Sequence, residues 1–260
     1  MMGRTKRREF PYVYLPGERL FHLVVGLEDI PGALGKVLEL LRAHVNLMGS
    51  ISYSLGNGRA VWSGFGKAVS NSENAEGLEK LLMSSKVTRE CEVKESNEGL
   101  LVDSFHSGIE TEMGESLILL SREGLSHMFG QVAKQFGSGG EVLLYSQGHS
   151  LGEESARSFV RLLGAANATK MVGDLRPILS ASGWGIPTRL SESPPGTYTL
   201  KMEDCFECSH GREATKSCSF LRGYLEGSAS AILGRPSSCQ ETRCRRSGDK
   251  HCEFVIGPKA

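Results

Sequence analysis

The chain has 260 residues, enough for one large or two ordinary domains, and its thirty basic side chains balance thirty acidic ones. That balance leaves no net field to draw nucleic acid or a membrane surface, and no stretch reaches the roughly 18 apolar residues that cross a bilayer. Hydrophobic content is 39% with 7% aromatics, the profile of a globular protein. The opening MMGRTKRREFPYVYLPGERLF is basic without the apolar run of a signal peptide, so Arg4, Lys6, Arg7 and Arg8 read as a solvated tail, with an anchor for anionic surfaces as the alternative. Seven cysteines, all but Cys91 crowded between Cys205 and Cys252, favour metal or thiol chemistry over disulfides. A cytoplasmic location is expected.

In chain order, FHLVVGL is a strand running into the turn EDIPG. Pro31 suits a first helical turn with Asp29 as its cap, and ALGKVLELLRAHV places Leu34, Val37, Leu38 and Leu41 on one helical face. NLMGSISYSL alternates as a strand, Gly56-Asn57-Gly58 is a hairpin turn, and RAVWSGFGKAV returns. SENAEGLEKLLMSS is a short helix and KVTRECEVKE a closing strand. The order β-α-β-β-α-β predicts a ferredoxin-like domain over residues 18–96.

That order, with D-x-P-G-x-L from Asp29 to Leu34 and Asn46 at the second strand, resembles the ACT domain family. The resemblance implies pairing of two copies through their sheets, hence a homodimer, and an amino acid or similar small ligand held by Asp29, Gly32, Ala33, Leu34 and Asn46. Gly32 permits close approach to the backbone, and free amides at a helix start attract a carboxylate. The plain alternative is that Pro31-Gly32 only makes a tight turn.

SNEGLLVDS reads as a polar linker, and a second domain over residues 104–257 follows. SLILLSREGLSHMFGQVAKQFG has Leu120, Gly124, His127 and Val132 at near-helical spacing; EVLLYSQG reads as a strand; EESARSFVRLLG carries the stripe Ala156, Phe159, Val160 and Leu163. MVGDLRPILSASGWGIPTRLSES reads as helix, glycine turn and strand, and TYTLKMEDCFE as a strand with Tyr198, Leu200 and Met202 alternating. A further helix has the inward stripe Cys218, Leu221, Leu225, Ser228 and Ile232; Gly223 and Gly227 thin it for close packing, and Gly234-Arg235-Pro236 stops it.

Cys218, Glu241, Cys244 and Cys252 form the frame C-x22-E-x2-C-x7-C. Three thiolates and a carboxylate make a closed tetrahedral set suited to Zn²⁺, with no open position for catalysis. The turn Ser247-Gly248-Asp249 would bring Cys252 back opposite Cys244, with Phe254 and Ile256 on the same buried face. Thiolates, carboxylate and ion sum to a charge of −2, which Arg243, Arg245, Arg246, Lys250 and His251 can offset. The bland alternative is a set of reduced core cysteines beside an exposed Glu241.

C-x-F-x-x-G-Y-x-x-G at Cys218, E-T-R-C, G-D-K-H-C-E-F and Gly183-Trp184-Gly185 together resemble the 4-vinyl reductase domain over about 150 residues, from about Met113 to Ile256. The resemblance implies helices packed on one antiparallel sheet. It also implies a zinc ion on Cys218, Glu241, Cys244 and Cys252, and a small, apolar or aromatic ligand held between helices and sheet, as in sensor members.

Other constellations carry less. Cys205-x-x-Cys208, near His210, can be a zinc knuckle or redox pair, but a second zinc would need two more ligands and only Cys239 remains close, so ordinary thiols are the simpler reading. His106, His127 and His149 have no sequence-visible partner, Gly137-Ser138-Gly139-Gly140 lacks the ending of a phosphate loop and reads as a helix-to-strand loop, and Ser146-Gln147-Gly148-His149-Ser150 is no nucleophile elbow. The fold class is therefore α+β: a ferredoxin-like βαββαβ domain followed by an α/β domain with helices on an antiparallel sheet. The expected function is that of a cytoplasmic sensor or regulator binding a small ligand beside a structural zinc, not an enzyme. The alternatives are a reductase or its accessory in tetrapyrrole vinyl-group metabolism, against which stands the lack of any dinucleotide or flavin motif, and a scaffold that only assembles partners.

Overall fold

The computed structural model describes residues 11–70, 73–111, 114–164, 168–209 and 217–259. The basic tail and His210 lie outside them, as does the side chain of Leu163. The chain divides into two compact units, 1–118 and 119–260, and mixes helices with antiparallel sheets.

In the first unit, β2 (Leu20–Glu28), β3 (Val45–Gly56), β4 (Arg59–Ala68) and β5 (Thr88–Ser96) form a sheet in the order β3-β4-β2-β5, every neighbour antiparallel. α1 (Ala33–Leu41) and α2 (Ala75–Met83) supply the crossovers, giving the ferredoxin-like order. The alternation of β2 and the stripe of α1 bury Leu23, Val25, Val37 and Leu41 with Trp62, Leu78 and Leu82 in one core. Asn74 caps α2 through a 2.7 Å bond from Gly77 N to its Oδ1. The start of α1 differs from expectation. Its cap is Gly32 in the left-handed region, φ 83°, with no side-chain bond, because Asp29 is engaged elsewhere by a 2.6 Å bond from Ser54 Oγ. The stretch read as a linker contains a strand, β6 (Leu100–Val102), paired with β1 (Tyr12–Tyr14); a small hairpin, β7 (Ile109–Glu110) and β8 (Ser116–Leu117), follows.

The linker also anchors a buried histidine. Asp103 accepts bonds from the amides of Phe105 and His106 and lies 2.7 Å from His106 Nδ1. His22 is fully buried, stacked on Phe65 at 4.0 Å with Nε2 on Ser63 Oγ, and its Nδ1 lies 3.8 Å from Asp103 Oδ1. Burial holds its pKa down at about 4, so it is neutral at pH 7.

In the second unit, α3 (Arg122–Phe136) is capped by Ser121 and buries Ser126, Phe129 and Ala133 rather than the face expected; Leu120 is exposed. The segment EVLLYSQG, expected as a strand, is helical. α4 runs unbroken over Ser138–Leu163, so Gly137 joins two helices and no phosphate-type loop or helix-to-strand loop exists there. The reason lies in α6 (Ser219–Leu233), which crosses α4 backbone to backbone. A Cβ at Gly148 or Gly152 would stand 2.1 Å from the carbonyl oxygens of Phe220 and Tyr224; one at Gly223 or Gly227 would stand 2.0 and 2.1 Å from those of Tyr145 and His149. The two glycine pairs, each spaced by four, form one seam. α5 (Ala168–Ala181) precedes the sheet of β9 (Ile186–Glu192), β10 (Tyr198–Glu203), β11 (Ser237–Arg243) and β12 (Cys252–Pro258), ordered β11-β12-β10-β9 and antiparallel throughout. Tyr198, Leu200 and Met202 of β10 and Cys252, Phe254 and Ile256 of β12 alternate into a core shared with the stripe of α6.

Candidate metal centre

Three segments converge at the start of α6. Cys218 is its N-cap and is fully buried. A helix start leaves amides without intrahelical partners. Here the Cys218 amide donates to Glu241 Oε2 at 2.7 Å, while those of Phe220 and Leu221 donate to the two carboxylate oxygens of Glu207 at 3.1 and 2.9 Å. Two acids thus close one helix end. Burial pushes both carboxyls up to about 8, against the pull of the amides that favours their charged forms.

Glu241 and Cys244 are three apart on a strand, a spacing that would send their side chains to opposite faces. The register of β11 against β12 slips between Glu241 and Arg243, and the extra residue restores a common face. Cys244 is then held by its amide bond to Asp249 Oδ2 at 2.9 Å, across the turn in which Gly248 has φ 103°. Cys252 opens β12 opposite Met202.

The structure brings Cys218, Glu241, Cys244 and Cys252 together, their donor atoms all within 4.8 Å of one another. Cys218 Sγ lies 3.8 Å from Cys244 Sγ and 3.8 Å from Cys252 Sγ. A tetrahedral ion with metal–sulfur bonds of about 2.3 Å has donor edges of about 3.8 Å. Glu241 Oε1 is buried, and the only side chains that the carboxyl meets as hydrogen-bond partners among the described residues are the thiols of Cys218 and Cys244. The residues present therefore fit a soft divalent cation. The surrounding positive charge is uneven. Arg243, Arg245 and Lys250 are exposed, while Arg246 and His251 are half-buried, Arg246 donating to the Glu207 carbonyl.

The remaining sequence candidates disperse. Asp29 to Leu34 run from the turn into the first residues of α1, where Ala33 is buried, and Asn46 stands on β3 opposite Lys67, at the other end of the sheet. Cys239 is buried away from the sulfur group, its amide on Glu226 Oε2 at 2.8 Å. His127 and His149 lie on α3 and α4, and His106 pairs with Asp103. Glu207 was not singled out by sequence reasoning; its one signal is a carboxylate inside a C-x-x-C turn ahead of a helix. Cys205 and Cys208 join the sulfur group directly: Cys205 Sγ is 3.7 Å from Cys218 Sγ, and Cys208 Sγ is 3.2, 3.8 and 3.5 Å from those of Cys218, Cys244 and Cys252.

Against known proteins, a protein from Methanocaldococcus jannaschii, MJ0150, itself uncharacterized, is 26% identical over 121 residues, 46% of this chain and 66% of that one; the chain thus spans slightly less than two thirds of that relative. Among solved structures, the phenol-responsive sensory domain of the transcription activator PoxR, crystallised with phenol, aligns with 20% identity and a TM-score of 0.46, over 56% of this chain and 78% of that one. A vinyl-4-reductase family protein from Methanocaldococcus jannaschii aligns with 17% identity and a TM-score of 0.37, over 57% and 87%. Trafficking protein particle complex subunit 3 from Naegleria fowleri, covalently bound to palmitic acid, aligns with 12% identity and a TM-score of 0.45, over 54% and 95%. Among the described residues no helix is long and apolar enough to cross a membrane. Residues 198–258, the stretch that carries every member of the sulfur group, match the V4R domain.

Proposed function

We propose that the second unit is a ligand-sensing module whose fold is clipped by zinc on Cys218, Glu241, Cys244 and Cys252. The observation that carries this reading is the convergence of those four donors, with the buried carboxylate of Glu241 facing thiols. Three thiolates and a carboxylate fill a tetrahedron, so the ion has no vacant position for substrate and serves the fold, tying the start of α6 to β11 and β12. The ligand is apolar or aromatic. Trp184, Phe206, Phe220, Tyr224 and Phe129 pack against one another in tilted and edge-to-face pairs, Trp184 and Tyr224 at 4.2 Å, and Phe206 follows Cys205 while Phe220 lies two residues after Cys218. Ligand among these rings would be felt at the helix start that the metal holds, and it biases the protein only by its differential affinity for two arrangements.

The test has two arms. Purified full chain binds zinc, and Cys218→Ser loses at least one equivalent and melts at a lower temperature; retention of all zinc by that variant overturns the ligand assignment. With Trp62→Phe, the emission of Trp184 shifts on titration with phenol or palmitate as probes; no shift with either at millimolar concentration overturns the sensing role. The first unit, by its resemblance to ACT domains, pairs with a second copy through edge strand β3, where Ile51 and Leu55 are 56% and 51% exposed, and takes an amino acid at the turn Asp29 to Leu34, with Asn46 at the other end of the sheet and outside that site within one copy. Ile51→Lys converts the dimer to a monomer in light scattering; a wild type that is already monomeric refutes the pairing.

A further inference from the structure

Cys208 stands against the same three sulfurs that the metal centre uses. Its Sγ lies 3.2, 3.8 and 3.5 Å from those of Cys218, Cys244 and Cys252, and Cys218 Sγ lies 3.8 Å from each of the other two. Cys244 and Cys252 have their sulfurs within 4.8 Å of one another. Together these are the edges of one tetrahedron of sulfur, close to the edge of about 3.8 Å that metal–sulfur bonds of about 2.3 Å set. Glu241 meets the same three sulfurs in a donor set of its own. Five donors thus face a cation that takes four.

We propose that a single ion rests on Cys218, Cys244 and Cys252 and that Cys208 and Glu241 compete for its fourth position. This rests on the reading of the metal centre given above, which supplies the three shared sulfurs. The fold itself places Cys208. It ends the 3-10 turn Phe206–Cys208, in which the Phe206 amide donates to Trp184 O at 2.9 Å and the Cys208 amide to Cys205 O at 3.1 Å. Glu207 in the same turn is tied to the start of α6 by the amides of Phe220 and Leu221, and Arg246 donates to its carbonyl. The turn that offers Cys208 is therefore bonded to the helix end that offers Cys218. Glu241 has a second task wherever the ion releases it, because its Oε2 accepts the Cys218 amide at 2.7 Å. The losing carboxylate stays as a helix cap and need not swing into solvent. Exchange breaks one metal–oxygen bond and forms one metal–sulfur bond; the S–H proton of Cys208 passes to solvent, and no oxidant or reductant takes part. Sulfur is the softer donor, so a softer ion tips the balance toward Cys208. Cys205 is no competitor: its Sγ is 3.7 Å from Cys218 Sγ, but the donor set that holds it omits Cys244.

The experiment counts metal and sulfur ligands on the full chain, reduced and loaded with zinc, by native mass spectrometry and zinc X-ray absorption. Wild type is expected to hold one zinc. Glu241→Gln, which keeps an oxygen for the Cys218 amide, should hold one zinc on four sulfurs. Cys208→Ser should hold one on three sulfurs and an oxygen, and Cys205→Ser should match wild type. Glu241→Gln/Cys208→Ser should lose the ion to a chelator that leaves both single variants loaded. Loss of zinc from Glu241→Gln, with a count of three sulfurs unchanged by Cys208→Ser, overturns the competition and leaves the first reading standing. Loss from Cys208→Ser overturns the competition and the part given to Glu241 with it. A sulfur lost in Cys205→Ser, or two zinc ions in wild type, overturns the single shared site. Zinc retained by Cys218→Ser, or none bound by wild type, overturns the first reading itself. Cadmium is softer, so the ¹¹³Cd resonance of the substituted wild type should have the shift of a four-sulfur site. A three-sulfur, one-oxygen shift there overturns the proposal without any variant, so a substitution that fails to fold does not rescue it.

Discussion

Replacing Gly223 by alanine separates two accounts of the glycines in α6 by the sign of the effect. If Gly223 is simply a weak helix former, alanine stabilises the helix by about 1 kcal/mol. The structure requires the opposite. An added Cβ would stand 2.0 Å from Tyr145 O of α4, and 2.9 Å from His149 N, both backbone atoms that cannot swing aside. Ordinary contact needs about 3.5 Å, so α4 and α6 must part by about 1.5 Å along a seam also formed by Gly148, Gly152 and Gly227. Overpacking a filled contact costs about 1–3 kcal/mol, more when backbone must move. After the propensity gain is set against it, a net loss of about 2 kcal/mol is expected. Denaturant unfolding followed by Trp184 emission in a Trp62→Phe background reads it. Gly139→Ala, at a site in the same α4 with nothing within 4 Å of the new Cβ, is the control and should be neutral or stabilising. A Gly223→Ala protein with an unfolding midpoint above wild type would refute the close crossing.

Glu207→Ala should cost about 2–4 kcal/mol, because it strips the buried amides of Phe220 and Leu221 of their acceptor, whereas Glu207→Gln keeps one oxygen and should lose about half of that in the same unfolding assay; equal losses would mean that packing, not capping, sets the cost. His22 predicts an acid sensitivity of the first unit. Its pKa is about 4 folded and 6.5 unfolded, so its contribution is complete above 6.5 and is lost as pH falls toward 4. Between pH 7.5 and 5.5 the unit should lose about 1.3 kcal/mol, read through buried Trp62 in a Trp184→Phe background. Asp103, His106 and Lys94 face the same ring and are unchanged in His22→Gln, which should remove most of that slope; a variant with the wild-type slope would move its origin to those groups.

How much of this could be read from sequence depended on whether the signal was local. The ferredoxin-like order of the first unit was legible because its elements carry their own marks: the short apolar run of β2, the helical stripe of α1, and the Gly56-Asn57-Gly58 turn. The beginning of α1 was not, since Asp29 would serve as a cap in isolation and only the folded sheet brings Ser54 to claim it. The largest error, a strand at EVLLYSQG, has the same origin. A short apolar run bounded by glycine fits a buried strand as well as a buried helix, and nothing within the run decides. What decides is Gly223 and Gly227, seventy-odd residues away; Gly148 and Gly152 are not punctuation but the other half of a seam.

The convergence of the four donors was legible for a different reason. Cys218, Glu241, Cys244 and Cys252 announce themselves by donor type, yet the bulge that turns Glu241 and Cys244 to one side leaves no trace in composition. The C-x-x-C turn was visible but was read apart from the frame, because spacing along the chain does not show that Cys208 Sγ lands 3.2, 3.8 and 3.5 Å from those of Cys218, Cys244 and Cys252. Cys218 and Cys252, buried where β10, β12 and the start of α6 meet, are the two residues that both donor sets reach. Counting donors along a chain therefore misses what the fold crowds together: the five sulfurs gathered at one helix end come from three segments that no single spacing pattern joins.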